Sequence, residues 1–421
     1  MHIETPNALP LIALVHLLVT TAATAQADVL VVDALGGGDF TDLQAAVVAA
    51  SSGDTLLVRS GDYGAFTIHA KALDIAAYEG ATVRVFGGSA VQNLNSSHEV
   101  VLSGLELRPD LAQWVAPTLG LTANAGRVRL VDCAIFGLDG LGDFDDGGLA
   151  CAISGTGDVG LFHCRLRGGA GGQGFFCNFT TGGLGLEVSQ GQVDLYGSTI
   201  EGGPSADTLS NFQLGGHGGP AALVRGAATL RGFSSTFAGA NGGEGDLSFT
   251  FCACGDGGAG LRAEGASVAE LFDCVTTGGQ GGITFGGGTC NAGAATSGPV
   301  TVLGGAVRAL TADRVVRVGG TIQGVVRGAP GDAVFLLMSL NANHQPYPAL
   351  LGVLNVGAPY VARALAVGVI GPSGVLPLSG GVTGFSPGLT AEHLYIQPFI
   401  SAPSGRWLGQ PDVLMVLAPG I

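Results

Sequence analysis

Six stretches, set under one another, decide the fold: Val100–Leu107 (VVLSGLEL), Val128–Ile135 (VRLVDCAI), Val159–Leu166 (VGLFHCRL), Val193–Ile200 (VDLYGSTI), Ala228–Phe233 (ATLRGF) and Ala269–Thr276 (AELFDCVT). Each opens apolar-x-Leu. The leucines fall at 102, 130, 161, 195, 230 and 271, in steps of 28, 31, 34, 35 and 41 residues. A second short apolar run precedes most of them, as at Leu119–Thr122, Leu184–Val188 and Leu261–Ala263. A period of this size, made of two or three short strands and no helix, is one coil of a parallel β-solenoid. The apolar residues point inward and stack on the next coil, about 4.8 Å away.

The growing step comes from Gly-rich loops between the rungs. Examples are GGAGGQGFFCNFTTGG (168–183), GANGGEGDLSFTFCACGDGG (239–258) and GGQGGITFGGGTCNAGAATSG (278–298). They resemble one another, as products of a duplicated rung-plus-loop unit would. The chain holds 75 Gly and 18 Pro in 421 residues, yet 47% of it is hydrophobic and 12% charged. That balance excludes a disordered chain. The lack of a Gly-X-Y period excludes collagen.

Ahead of the repeats, Thr41-Asp42-Leu43-Gln44 reads as a capping box with Thr41 as N-cap. Leu43, Ala46, Val47 and Ala50 then share one helical face. A short helix with one apolar face suits a lid over the open end of a solenoid. After about residue 311 the Gly-Gly loops and the cysteines stop. Short β runs follow, such as Ala333–Met338, Leu394–Ile400 and Val413–Leu417, separated by turns such as Ala329-Pro330-Gly331-Asp332. This reads as a small antiparallel β-sandwich.

The segment Gly38–Tyr63 (GDFTDLQAAVVAASSGDTLLVRSGDY) resembles the opening of the right-handed parallel β-helix proteins, the pectin-lyase-like superfamily. The resemblance implies that fold, export, and a frequent link to polysaccharides. The expected layout is a leader at 1–27, a right-handed parallel β-helix with an N-terminal capping helix over 28–310, and the sandwich over 311–421.

Charge narrows the partners. The formal net charge is −15, and of the 17 basic residues all but Lys71 are Arg, with no basic run. Nucleic acid is therefore excluded as a partner, and an anionic membrane surface is disfavoured. Leu9–Thr20 is apolar and is followed by the small-residue sites Ala23-Thr24-Ala25 and Ala25-Gln26-Ala27, as in a secretory leader. The first ten residues hold no Lys or Arg, which departs from that pattern. No second apolar run is long enough to span a membrane, so no stable insertion is expected once the leader is removed. The expected place is outside the cell or in the periplasm.

Stacked coils turn sequence positions into columns. The position after each Leu holds Val131, Phe162, Tyr196, Arg231 and Phe272, and by alternation it faces outward. Phe162, Tyr196 and Phe272 are thus candidates for stacking on sugar rings. The next column, Asp132, His163, Gly197, Gly232 and Asp273, puts a carboxylate beside an imidazole. Asp132 and His163 are the best acid–base pair the sequence offers. The third, Cys133, Cys164, Ser198, Phe233 and Cys274, places cysteines within disulfide reach. The fourth, Arg129, Gly160, Asp194, Thr229 and Glu270, looks like a solvated face.

All eight cysteines lie between Cys133 and Cys290, an even count that suits disulfides in an exported chain. Cys133 and Cys164 are candidates in the rungs; Cys177, Cys252, Cys254 and Cys290 could cross-link the loops. Asp139, Asp143, Asp145 and Asp146 form an acidic Gly-rich loop that could hold Ca²⁺ through oxygen, the one cofactor in view. The polygalacturonase-like hydrolases resemble one another in an Asn-Thr-Asp, an Asp-Asp, a Gly-His-Gly and an Arg-Ile-Lys. This chain has Asp145-Asp146 and Gly216-His217-Gly218, 72 residues apart, and lacks the other two motifs. The leading expectation is a non-catalytic scaffold that binds an extracellular glycan or a surface partner. The alternative is a lyase or glycoside hydrolase acting on acidic polysaccharide.

Overall fold

Alternation of apolar and polar residues along the rungs builds three parallel sheets, one of ten strands and two of eight. The computed structural model describes residues 27–110, 117–140, 145–172, 180–205, 215–245, 254–284, 287–304, 308–347, 350, 352–382, 391–403 and 405–419. The leader expected at 1–27 falls, but for Ala27, outside the described residues.

Sheet I runs from Val29–Val32 to Val300–Leu303. Sheet II runs from Gly61–Gly64 to Val275–Thr277. Sheet III runs from Thr67–His69 to Thr296–Ser297. One coil visits them in the order III, I, II, as in Leu119–Thr122, Arg127–Val131 and Ala134–Phe136. Each strand pairs in parallel with its counterparts one coil before and after, so the chain forms the parallel β-helix expected of it. The inward residues, among them Val128, Leu130, Ile135, Leu161 and Leu195, form one continuous core at 0% exposure. Burial of each such side chain stabilises the fold by about 1.5–3 kcal/mol.

The lid forms as a helix over Leu43–Ala49, α1, with Leu43, Ala46 and Val47 buried. Its cap differs from the expectation. Asp42, not Thr41, is the N-cap, and its Oδ1 accepts from the Ala45 N–H at 2.7 Å. Gln44 does not reach back along the helix; its Oε1 accepts from the Thr67 N–H at 2.6 Å. Gln44 thereby ties the helix to the first strand of sheet III.

Residues 28–305 and 306–421 are separate compact units. The second has its own core. A three-stranded antiparallel sheet and a mostly antiparallel six-stranded sheet contribute Leu310, Val326, Val334, Leu336, Ile400 and Leu414 to it. Arg308 and Asp332 form a buried ion pair there at 2.9 Å, and the Arg308 guanidinium lies 3.8 Å from the Trp407 ring centroid.

Candidate functional site

The columns hold, with one correction of register. Leu230 pairs with Val193 and Ala269, whereas Gly232 pairs with Leu195 and Leu271. The fifth repeat is therefore shifted by two residues from its sequence alignment. A two-residue shift keeps every side chain on its own face, so the apolar pattern alone could not detect it. The aromatic column becomes Phe162, Tyr196, Phe233 and Phe272, with Phe233 in the place expected of Arg231. The cysteine column gains Ser235 in place of Phe233.

Phe162, Tyr196 and Phe233 stack on one another instead of standing free, and Phe272 lies tilted against Phe233. Phe162 and Tyr196 have centroids 5.0 Å apart, Tyr196 and Phe233 5.1 Å, and Phe233 and Phe272 6.4 Å. Rings at strand spacing use their own neighbours for the stacking that sugar would have supplied. Phe162 and Tyr196 are 1% and 2% exposed, so these two are not a sugar platform. The neighbouring column, expected to be solvated, is also partly buried. Arg129 and Asp194 lie within 4.0 Å of Glu99 and Arg231 respectively. Burial pushes the Asp194 carboxyl up to about 7, and Arg231 and Arg129 pull it down by less.

Asp132 and His163 do occupy successive turns; the Asp132 N–H donates to the Phe162 carbonyl. Their shared property is a backbone one. Gly104, Asp132, His163, Gly197, Ser234 and Asp273 have φ between +47° and +70°. The corner between sheets I and II thus takes a left-handed residue in these six successive coils. Gly adopts it freely, and Asp and His are among the residues that tolerate it. The His163 ring leans over Gly197, where an added Cβ would meet Nδ1 at 2.8 Å.

Of the disulfide candidates, Cys254 and Cys290 are bonded, closing a separation of 36 residues. Cys133 and Cys164, expected as disulfide candidates, are free thiols in the solenoid core, as is Cys151 in sheet III. Their Sγ atoms donate to carbonyls: Cys133 to Leu102 and Cys164 to Leu130. Burial holds the Cys164 thiol well above its ordinary value and pushes Cys151 up to about 12. Cys177 and Cys252 lie outside the described residues.

The Gly-rich loops contain the ordered feature that the sequence reading missed. Each leaves the coil on an outgoing leg and comes back on a return leg, and backbone hydrogen bonds weld the legs together. One chain of N–H to C=O bonds runs Gly148 to Leu138, Gly169 to Gly148, Gly183 to Gly169, Gly203 to Gly183, and onward through Gly219, Ala240, Gly258 and Gly279 to Gly293, at 2.6–3.0 Å. Along a leg the donors recur every third residue. Gly239, Gly242 and Gly245 donate to Thr277, Gln280 and Ile283 of the next outgoing leg. Gly279 and Gly282 donate to Gly258 and Gly255. Three residues per turn without internal hydrogen bonds is the geometry of a polyproline II-type helix. The loops therefore form a two-layered wing of such helices. A Cβ on Gly169, Gly203 or Gly279 would come within 1.8 Å of a neighbouring carbonyl oxygen, so these positions admit no side chain.

Every third residue of a return leg is free to carry a side chain. Asp146, Thr181, His217, Asp256 and Asn291 stand in register, linked by bonds from Gly147 to Thr181, Gly182 to His217, Gly218 to Asp256 and Gly257 to Asn291. Three of them cap the wing. Asp146 Oδ1 accepts from the Thr181 N–H at 2.6 Å, His217 Nδ1 from Asp256 at 2.9 Å, and Asp256 Oδ1 from Asn291 at 2.9 Å. Asp139 Oδ1 does the same for Ala170 at 2.6 Å in the outgoing layer. The acids singled out for calcium thus accept backbone N–H groups, and Asp145 contributes its carbonyl to Gly172. Asp143 lies outside the described residues. Among the described residues no cluster of three His, Cys, Asp or Glu is placed to hold a metal ion. The signal was present as a local Gly-Gly-x period: Gly168-Gly169-Ala170-Gly171-Gly172, Gly278-Gly279-Gln280-Gly281-Gly282, and a Gly-Gly after each of Asp146, Thr181, His217 and Asp256.

No protein-family model, no curated protein and no solved structure matches this chain.

Proposed function

We propose that the protein is an exported, non-catalytic scaffold that binds an extracellular glycan or a surface partner on its rigid solenoid. One observation carries the reading: the side chains best suited to acid–base or metal chemistry are engaged by the fold. Asp139, Asp146, His217 and Asp256 cap backbone donors of the wing. An enzyme of the polysaccharide-cleaving kind needs several acids and a base converging on one groove.

The test is a cleavage and binding screen on residues 28–421, with and without Ca²⁺, against acidic and neutral polysaccharides. The expected result is retention of at least one glycan with no new reducing ends and no unsaturated uronate. A product whose formation is lost in Asp132→Asn, or on neutralising Asp145 and Asp146, makes the protein an enzyme and overturns the reading. Export is tested separately, by expressing the full chain and sequencing the new N-terminus; it should follow Ala25 or Ala27.

A further inference from the structure

The outer face of sheet II carries a cleft of about 580 Å³ where the wing leaves the coils; Phe86, Arg108, Phe136 and Arg167 line it together with the acids Asp110 and Asp139. Strand register makes them one column. Phe86 pairs with Arg108, and Phe136 with Arg167. Ring and guanidinium therefore alternate at strand spacing, and the two rings stand two coils, or about 10 Å, apart.

The two arginines differ in what they already hold. Arg108 is paired with Glu106, and its guanidinium lies 4.9 Å from the Phe136 centroid. Arg167 has no carboxylate within 4.0 Å among the described residues. Every other arginine between Asp28 and Gly305 has one. Lys71 is satisfied too, donating to the Val47 and Ala50 carbonyls. The nearby Asp139 is turned to the Ala170 N–H. In a chain with 32 acids against 17 bases, Arg167 is the one described arginine between Asp28 and Gly305 without an acid, and it faces a cleft with two aromatic walls.

We propose that this cleft binds a ligand bearing a carboxylate beside a flat ring, with Arg167 as the anion anchor and Phe86 and Phe136 as the stacking faces. The planar guanidinium fork takes a carboxylate through two parallel N–H···O bonds. The volume lies in the range of small-ligand sites. Two sources carry this chemistry: a uronate unit of a glycan, or a free aromatic acid. The inference rests on the glycan reading for the first source only.

The experiment is calorimetric titration of residues 28–421 with a glucuronate trisaccharide, its carboxyl-reduced neutral counterpart, and 4-hydroxybenzoate. A carboxylate probe should bind. Arg167→Gln should weaken it by about tenfold or more, the scale of a charged hydrogen-bonded pair. Phe136→Ala should weaken it as well. Arg84→Gln, whose arginine pairs with Asp62 outside the cleft, should bind as the parent does. Binding of the aromatic acid without the trisaccharide supports the site and removes the glycan as its occupant. Binding of glycans that Arg167→Gln leaves unchanged, in a variant that melts like the parent, overturns the site and spares the glycan reading. Failure of every carboxylate probe to bind also overturns the site.

Discussion

Replacing Gly169 by Ala tests the wing directly. An ideal Cβ there would lie 1.8 Å from the Leu138 carbonyl oxygen and 2.3 Å from its carbon. Both are backbone atoms, so no side chain can swing aside. Ordinary contact requires about 3.4 Å, and the legs must part by more than an ångström. Such a shift strains the bonds from Gly169 to Gly148 at 2.9 Å and from Gly183 to Gly169 at 2.7 Å. Overpacking costs about 1–3 kcal/mol, and each donor or acceptor left unsatisfied about 1–3 more. The expected loss is roughly 3–6 kcal/mol, or on the order of 10 °C in Tm for a unit of this size. Gly64 is the control, since it lies in an exposed strand position with nothing within 4 Å of its added Cβ. Gly64→Ala should stay within about 1 kcal/mol of the parent. Calorimetry reads the two melts, and amide exchange should show protection falling at Gly148, Gly183 and Gly203. A Gly169→Ala protein that melts within about 2 °C of the parent would refute the reasoning.

Other measurements probe the interior. Asp194 has its pKa raised by burial to about 7, so its carboxyl is protonated in the folded chain where the unfolded chain is ionised. Stability should therefore fall as pH rises from about 4 through 7, and Asp194→Asn should flatten that fall in Tm; parallel curves for the two proteins would contradict it. The Cys254–Cys290 bond spans 36 residues, for which loop closure stabilises by about 3–4 kcal/mol. Cys290→Ser should lower the melt and speed amide exchange in residues 278–295, leaving 137–172 unchanged. Cys133, Cys151 and Cys164 should resist thiol reagents until the chain unfolds, because all three are buried and burial holds Cys151 and Cys164 in the thiol form. Rapid labelling of the native protein would show that the core opens.

The rungs were legible because their signal is local and repeated: Leu102, Leu130, Leu161 and Leu195 all lie in the core. The register at Leu230 was not legible, because slipping by two residues exchanges one inward residue for another. Nor were the roles of Asp132 and His163. The sequence put a carboxylate one coil from an imidazole but gave no sign that both residues take a φ near +52°. The sequence also marked Phe162 and Tyr196 as outward-facing, but it could not supply their burial, which depends on the whole packed chain. The Arg167 cleft was out of reach for the opposite reason. What distinguishes Arg167 among the described arginines of residues 28–305 is the lack of a carboxylate within 4.0 Å, and that needs the position of every acid.

The wing explains why Gly sits where it does and why the loops lengthen along the chain. A polyproline II-type leg has no internal hydrogen bonds and would be a random segment alone. Here the coil below fixes the spacing, and each leg meets a neighbour whose carbonyls match its N–H groups. The first leg must find partners near the coil, as Gly148 does with Leu138. Each later leg lies against one already in place, so it can extend further. Gly245, farther along its leg than Gly242, still finds the Ile283 carbonyl. Growth in step length from 28 to 41 residues is then a physical consequence of templating, since every added turn needs a surface to bond to. Two of three positions per turn face another backbone and are Gly almost throughout, Ala240 being an exception. The third faces out, and there Asp146, His217 and Asp256 cap the next leg.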